Sequence, residues 1–450
     1  MTKGKPISGF SKLSKRGKLK WIVENFFIDP ERVMKELTSF WLPDQEKQKV
    51  LDRFSENTIS NFHLPYGVAP NFVINGRTYC VPMVTEESSV VAAAAKSAKY
   101  WFSRGGFTAE VLSTKKIGQI HFIWPGDIKV IESRLDDLRD RMLSEAKSLT
   151  YNMERRGGGV GDFTLVDFSD QVEHTYQLRI SFETADSMGA NFINSVLESF
   201  AKTFVYSIRG NHQFGEDRHR IEVLMAILSN YSPSCLVRSS VSCGIEELGS
   251  FGNYSAHDLA KRFEKAINIA RVDPYRATTH NKGIFNGIDA VVLATANDFR
   301  AVEANGHAYA ARSGSYQSLT QCTVGDGKFT FWIELPLSVG TIGGLTKLHP
   351  LAKHSLELLG NPTAKELMQI IASMGLAQNF AAIKSLITTG IQQGHMQMHL
   401  VNILSHLQAS EAEIKAALKH FANQTVSQAA VRDFLCILRS PVGDHSSSRG

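Results

Sequence analysis

Apolar residues recur along the chain with two different periods, and each change of period marks a change of element. Phe72-Val73-Ile74, the turn pair Asn75-Gly76 and Tyr79-Cys80-Val81 running into Pro82 predict a tight hairpin. The hairpin delivers Glu86 and Glu87 to the start of an alanine-rich stretch, Val90 to Lys99. Small side chains let backbones approach closely, so that stretch predicts a packed helix inside a large domain.

From about residue 113 to 226 the order of patterns changes. An apolar run at 117–124 precedes a helical face of Ile131, Leu135, Leu138 and Met142. Strand-like runs follow at 163–168 and 175–183, then a helix with Ile193, Val196, Leu197, Phe200 and Phe204 in register, then a strand-like 220–228. The order β-α-β-β-α-β predicts a split βαβ, or ferredoxin-like, arrangement. Ser255 with Asp258 predicts a capping box for a helix carrying Leu259, Phe263, Ile267 and Ala270, which Asp273-Pro274 ends. The polar stretch Arg276 to Asn286 then leads into an Ala- and Val-rich region assigned to the first domain resumed. Three more helices are marked by their ends. Thr363 with Glu366 opens one with the face Leu367, Ile370, Ile371 and Met374, Gly390 closes the next, and Ser410 with Glu413 opens a third. Gly390 and Gly394 are candidate hinges for a C-terminal flap. The predicted class is α+β: a large, mainly helical domain from 1–112 and 227–390, an inserted ferredoxin-like, non-Rossmann domain at 113–226, and a helical flap at 391–450.

Composition narrows the function classes. A chain of 450 residues with 43% hydrophobic content is long enough for more than one core. Its 49 basic and 44 acidic residues nearly balance, which argues against a dedicated nucleic-acid binder. Only residues 1–20 are locally basic, and they predict a solvated surface segment. No apolar run approaches the roughly 18 residues that span a bilayer, and no secretory hydrophobic segment follows the basic start, so a cytoplasmic protein is expected. Cys80, Cys235, Cys243, Cys322 and Cys436 are scattered and odd in number, which predicts reduced, mostly buried thiols.

Four separated stretches carry chemistry: Glu86-Glu87-Ser88-Ser89, Arg276 to Asn286, Asn297-Asp298 and Gly394-His395-Met396. Singly none is diagnostic. Glu87 also suits a solvated helix start, Lys282 an exposed loop, Asp298 a helix N-cap, and His395 an ordinary structural site. His395 and His399 have the spacing of a metal-binding pair, but the glutamate of the zinc-protease pattern is missing, so no metal is expected. Gly157-Gly158-Gly159-Val160-Gly161 does not match G-x-G-x-x-G and precedes a strand rather than a helix. Asp186-Ser187-Met188-Gly189-Ala190-Asn191 offers another anion site, because glycine at a helix N-terminus lets phosphates reach unpaired N–H groups.

Together these stretches resemble the class II, bacterial-type 3-hydroxy-3-methylglutaryl-coenzyme A reductases. The matching runs include Glu56-Asn57-Thr58-Ile59, Leu64 to Ala69, Asp186 to Asn191, Asp273 to Gly283, Ala294 to Arg300 and Gly375 to Asn379, in family order from about residue 56 to 402. The resemblance implies two hydride transfers that convert 3-hydroxy-3-methylglutaryl-CoA to mevalonate and coenzyme A, in either direction. It makes Glu87, Lys282 and Asp298 the catalytic cluster and His395 a proton donor on the flap. Ser89, Arg276 and Asn286 would hold the acyl part, and Asp186, Met188, Gly189, Asn191 and Thr150 the nicotinamide cofactor. NAD-preferring members carry an acid before the glycine-rich stretch. Here Thr150 stands nearest its place, with Lys147, Arg155 and Arg156 close by, so NADPH is expected over NADH. A homo-oligomer with active sites between subunits is implied as well. Two departures stand out: Ser88 replaces the usual proline after the glutamate, and Ala296 the usual glycine before Asn297-Asp298. The rival reading is a CoA-thioester hydrolase or acyltransferase using the same groups without redox chemistry.

Overall fold

The computed structural model describes residues 7–388, 400–401, 403–421, 424 and 426–439. Gly390, Gly394, His395 and His399 therefore lie outside the described residues. Three helices come first: α1 (Lys15–Phe26), α2 (Pro30–Ser39) and α3 (Gln45–Asp52), opened by Ser14, Asp29 and Asp44, whose side chains accept backbone N–H groups. They close over Leu19, Val23 and Val33. The basic segment is thus folded in its second half, with Lys15 donating to Asp52 at 2.6 Å and lying over the Trp41 ring.

The hairpin forms as β1 (Tyr66–Ile74) and β2 (Arg77–Val84), antiparallel, with β2 continuing through Pro82. The alanine-rich helix follows as α4 (Val90–Phe102). After β3 (Thr108–Val111) the inserted unit runs β4 (Lys116–Ile123), α5 (Ile128–Glu132), α6 (Leu135–Glu145), α7 (Lys147–Glu154), β5 (Gly159–Asp167), β6 (Thr175–Glu183), α8 (Ala190–Arg209), β7 (Glu222–Ser229). Its sheet has the order β5-β6-β4-β7, every neighbour antiparallel, which is the ferredoxin-like order. The single helix expected between the first two strands is three shorter ones. Ile131 ends up in α5 and Leu138 and Met142 in α6, yet all three face one core.

The chain then returns through β8 (Leu236–Gly244), α9 (Ala256–Val272), α10 (Pro274–Ala294), α11 (Phe299–Ala310), β9 (Thr320–Gly325), β10 (Lys328–Pro336), α12 (Leu345–Leu348), α13 (Pro350–Leu358) and α14 (Ala364–Ile387). Strands β3-β8-β10-β9 form a second antiparallel sheet that the helical reading of this region missed. Its signal was the period-two burial of Phe329, Phe331, Ile333 and Leu335 in β10. The predicted capping boxes open α9, α14 and a C-terminal helix, Glu411–His420. Where two helices were expected from Thr363 to Gly390, α14 is continuous to Ile387. Gly375 sits inside it because a Cβ there would meet Ile288 at 2.9 Å, so the glycine serves the close approach of α10 and α14.

Two large apolar cores result, beside the small N-terminal cluster and another in the C-terminal helices. One joins residues of β1, β2 and α4 to residues of β8 through α14, and the other uses the inserted unit alone. Helix α14 has the length and hydropathy of a membrane span, with a mean hydropathy of 1.4 in its most apolar window, but it runs through the first core between α4 and α10. Cys235, Cys243 and Cys322 are buried.

Candidate active site

The hairpin and α10 together assemble the first part of the site. Strand β2 ends at Val84, and at the next residue Thr85 Oγ1 accepts the Glu87 N–H at 3.2 Å. The Glu87 carboxylate then accepts from Lys282 Nζ at 2.7 Å, across 195 residues of sequence. Both side chains remain open to solvent, at 61% for Lys282 and 39% for Glu87. A pair this exposed contributes at most about 1 kcal/mol to stability, so its placement answers to chemistry more than to folding. Ser89 adopts φ 73° at the start of α4 and turns its hydroxyl onto the Ser88 carbonyl rather than onto the helix.

The polar stretch after Asp273 is a helix, not a loop. Asp273 accepts the Tyr275 N–H and Pro274 takes the first helical position, the arrangement expected of a well-capped start. Helix α10 is two-faced. His280 and Asn281 point inward: the imidazole Nε2 lies 2.6 Å from Thr320 Oγ1, while Asn281 donates to Gln317 O and accepts from Leu319 N. Burial, with Arg276 nearby, pulls His280 down to about 3. These two residues anchor the helix, a role the sequence reading did not assign. Lys282 and Asn286, four apart, share the open face. Three residues further on the same face, Asp289 is pushed up to about 8 by burial and by the Glu303 carboxylate of α11. Arg276 is half-buried, and burial lowers its pKa. Among the described residues it makes no hydrogen bond or ion pair, which leaves a partly desolvated guanidinium ready for a carboxylate or phosphate.

Asp298 holds the N-cap of α11. Its carboxylate accepts from Arg300 N, Ala301 N and the Arg300 guanidinium, so it does not hydrogen-bond Lys282. The link that orients a lysine through this aspartate is therefore absent in this arrangement. Ala296, where the resemblance led one to expect glycine, has φ 52°. Asn297 Oδ1 accepts from Gly340 N at 2.8 Å, which ties the aspartate's loop to the 338–342 segment.

That segment leads to the second part of the site. Thr341 N and Ile342 N donate to Asp186 O, and Asp186 Oδ1 accepts from Ala364 N at the start of α14. Asp186 thus clamps the two cores together. Gly189 opens α8 with φ 91°, and a Cβ there would sit 2.4 Å from Thr184 Cγ2, so only glycine fits. No side chain caps this 20-residue helix. Its first N–H groups are left for an anion, which fits the phosphates of a dinucleotide. Asn191 is exposed one residue inside the helix, and Met188 lies against Gly340. Thr150 corrects the expectation: it is 1% exposed and its hydroxyl donates to Lys147 O, because it sits on the inner face of α7. Lys147 faces Glu154 at 3.6 Å. Arg155 and Arg156 stand at the end of α7, and the glycines after them pack Gly158 against the Glu183 carbonyl, beside the strand that leads into the turn.

Comparison with known proteins places the chain among relatives of one family. A family described as hydroxymethylglutaryl-coenzyme A reductase matches residues 22–400. A 3-hydroxy-3-methylglutaryl-coenzyme A reductase of Archaeoglobus fulgidus is 37% identical over 398 residues, covering 88% of this chain and 86% of its own length. A probable reductase of the same name from Borreliella burgdorferi is 34% identical over 89% of this chain and 88% of its own. Among solved structures, the class II 3-hydroxy-3-methylglutaryl-CoA reductase from Streptococcus pneumoniae, bound to NADPH in open conformations, has a TM-score of 0.70 and 36% identity. It covers 91% of this chain and 99% of that one.

Proposed function

The chain belongs to the hydroxymethylglutaryl-coenzyme A reductase family, class II type, and from that premise we propose that it converts 3-hydroxy-3-methylglutaryl-CoA to mevalonate and coenzyme A. The observation that carries the reading is the Lys282–Glu87 pair at 2.7 Å, open to solvent beside the unpartnered Arg276. NADPH supplies the two hydrides when bound. Lys282 stabilises the negative charge that develops on the thioester carbonyl oxygen. Glu87, hydrogen-bonded to that lysine, passes a proton to the alkoxide of the second reduction. Asp298 would take part by exchanging its Arg300 contact for the lysine as the site closes. His395, outside the described residues, would protonate the departing coenzyme A thiolate. Arg276 would hold the acyl carboxylate, with Ser89 and Asn286 on the alcohol side.

We assign residues 113–226 to the cofactor and the remainder up to 390 to the substrate. Preference for NADPH over NADH is supported by Arg155 and Arg156, which stand at the end of α7 just ahead of the Gly158 that packs against Glu183. Equal kcat/KM for the two cofactors would remove it. A homo-oligomer is supported by Val272 and Tyr275, exposed at 81% and 89% next to Arg276, and light scattering tests it. A CoA-thioester hydrolase or acyltransferase is not favoured by the relatives. The deciding measurement is stoichiometry, with two nicotinamides oxidised per coenzyme A released. Lys282→Ala should lower kcat by about a hundredfold or more with no loss of melting temperature, and near-normal turnover would remove the lysine from the reaction.

A further inference from the structure

The turn from Thr184 to Gly189 is strained. Ala185 takes φ 47° and Gly189 φ 91°, and only the glycine does so cheaply. Strained backbone of this kind persists when its surroundings over-determine it. Here the surroundings include a buried lysine. Lys116, the first residue of β4, is 6% exposed, and its Nζ donates to Thr184 Oγ1 and, at 3.1 Å, to Ser187 O. Thr184 Oγ1 in turn donates to the same Ser187 carbonyl at 2.7 Å. Ser187 Oγ and Ser187 N both return bonds to Thr184 O. The ammonium has little room to leave: the gap bounded by Lys116, Met188, Ala190, Ser229 and Ser338 is only about 10 Å³. Desolvation of a lysine is costly without compensating partners, and burial does lower this one's pKa. An apolar residue would fill the same volume without that cost, so the charge answers to the turn it holds.

We propose that Lys116 is a positioning residue for the nicotinamide cofactor. It clamps Thr184 and Ser187 so that the Met188–Gly189 backbone and the uncapped start of α8 keep the shape that receives the cofactor's phosphates. The proposal rests on the reading of that turn as the cofactor site. Lys116 touches no substrate in this role; it acts through the turn.

The test is equilibrium binding on the full chain, with NADPH followed by its fluorescence and 3-hydroxy-3-methylglutaryl-CoA by calorimetry, beside thermal melting. Lys116→Met should weaken NADPH about tenfold or more while leaving the thioester's affinity within about twofold. Gly189→Ala, which disturbs the turn directly, should weaken NADPH as well. If Gly189→Ala weakens NADPH and Lys116→Met does not, the positioning role is overturned and the turn keeps its assignment. If neither variant moves NADPH binding, the turn is not the cofactor site and both ideas fall. Equal weakening of both ligands by Lys116→Met would mean general destabilisation and would also overturn the role. Should Lys116→Met fail to fold, Thr184→Val decides: it removes the hydroxyl the ammonium rests on, and the same split between ligands is expected, whereas unchanged NADPH binding refutes the clamp.

Discussion

Ala296 sits between α10 and α11 with φ 52°, a conformation that costs an alanine about 1–2 kcal/mol. Glycine there would lose somewhat more backbone freedom on folding, about 0.5–1 kcal/mol. Ala296→Gly should therefore stabilise the protein by up to about 1 kcal/mol, and a lower denaturation midpoint would show that Ala296 is not strained. Titration is a second matter for single residues. Asp289 reaches about 8 when folded against 3.8 unfolded, so the folded state holds the extra proton between those values. Stability from this group is complete below pH 3.8 and is lost as pH rises toward 8. His280, near 3 folded and 6.5 unfolded, acts in the opposite sense: the unfolded chain takes the proton, and stability falls as pH drops from 6.5. Each slope is about 1.4 kcal/mol per pH unit. The two oppose one another from 3.8 to 6.5, and Asp289 acts alone from 6.5 to 8. Denaturation at pH 6.5 and 8 should show wild type losing about 1–2 kcal/mol across that window and Asp289→Asn losing little. A variant with the undiminished wild-type slope would contradict the raised value.

Among elements, the N-terminus of α14 receives two acceptors from different parts of the chain. Thr363 caps Glu366 N from within, while Asp186 reaches Ala364 N from the inserted unit. A carboxylate at a helix start is favoured by both the free N–H groups and the dipole. Asp186→Ala should cost about 1 kcal/mol and also weaken NADPH, because losing the carboxylate releases the turn that carries Asp186 from the start of α14. Loss of stability with unchanged cofactor affinity would reduce Asp186 to a clamp. Helix α10 shows the same economy in another form: one face anchors it through His280 and Asn281, and the other presents Lys282, Asn286 and Asp289.

In the whole molecule, the first core draws on no described residue beyond Ile387, and the C-terminal helices have a small core of their own around Leu404, Phe421 and Leu435. Deleting 391–450 should accordingly leave a protein with near-native circular dichroism. It would lack His395, so thioester reduction should fail while reduction of supplied mevaldehyde survives in part. Collapse of the fold, or equal loss of both half-reactions, would count against the flap.

Periodicity and turn chemistry were enough to read the hairpin, the ferredoxin-like insertion and the three capping boxes, because each is a local pattern whose partners lie within a few residues or one supersecondary unit. The roles expected of Glu87, Lys282 and Arg276 came from the family resemblance and not from residue type alone, while the contact between Lys282 and Glu87 across 195 residues came from the fold. The second sheet was harder, because β3, β8, β9 and β10 pair across more than a hundred residues in places and only their alternation hinted at it. Other features were decided by packing between the two cores. Thr150 was turned inward, Asp298 was given to a helix cap and Asp186 to the start of α14, and Lys116, one of two adjacent lysines at the head of a strand, was buried beneath the turn. Charge and hydrogen-bonding capacity are written in the residue, but which partner satisfies them depends on what the tertiary fold brings within about 3 Å.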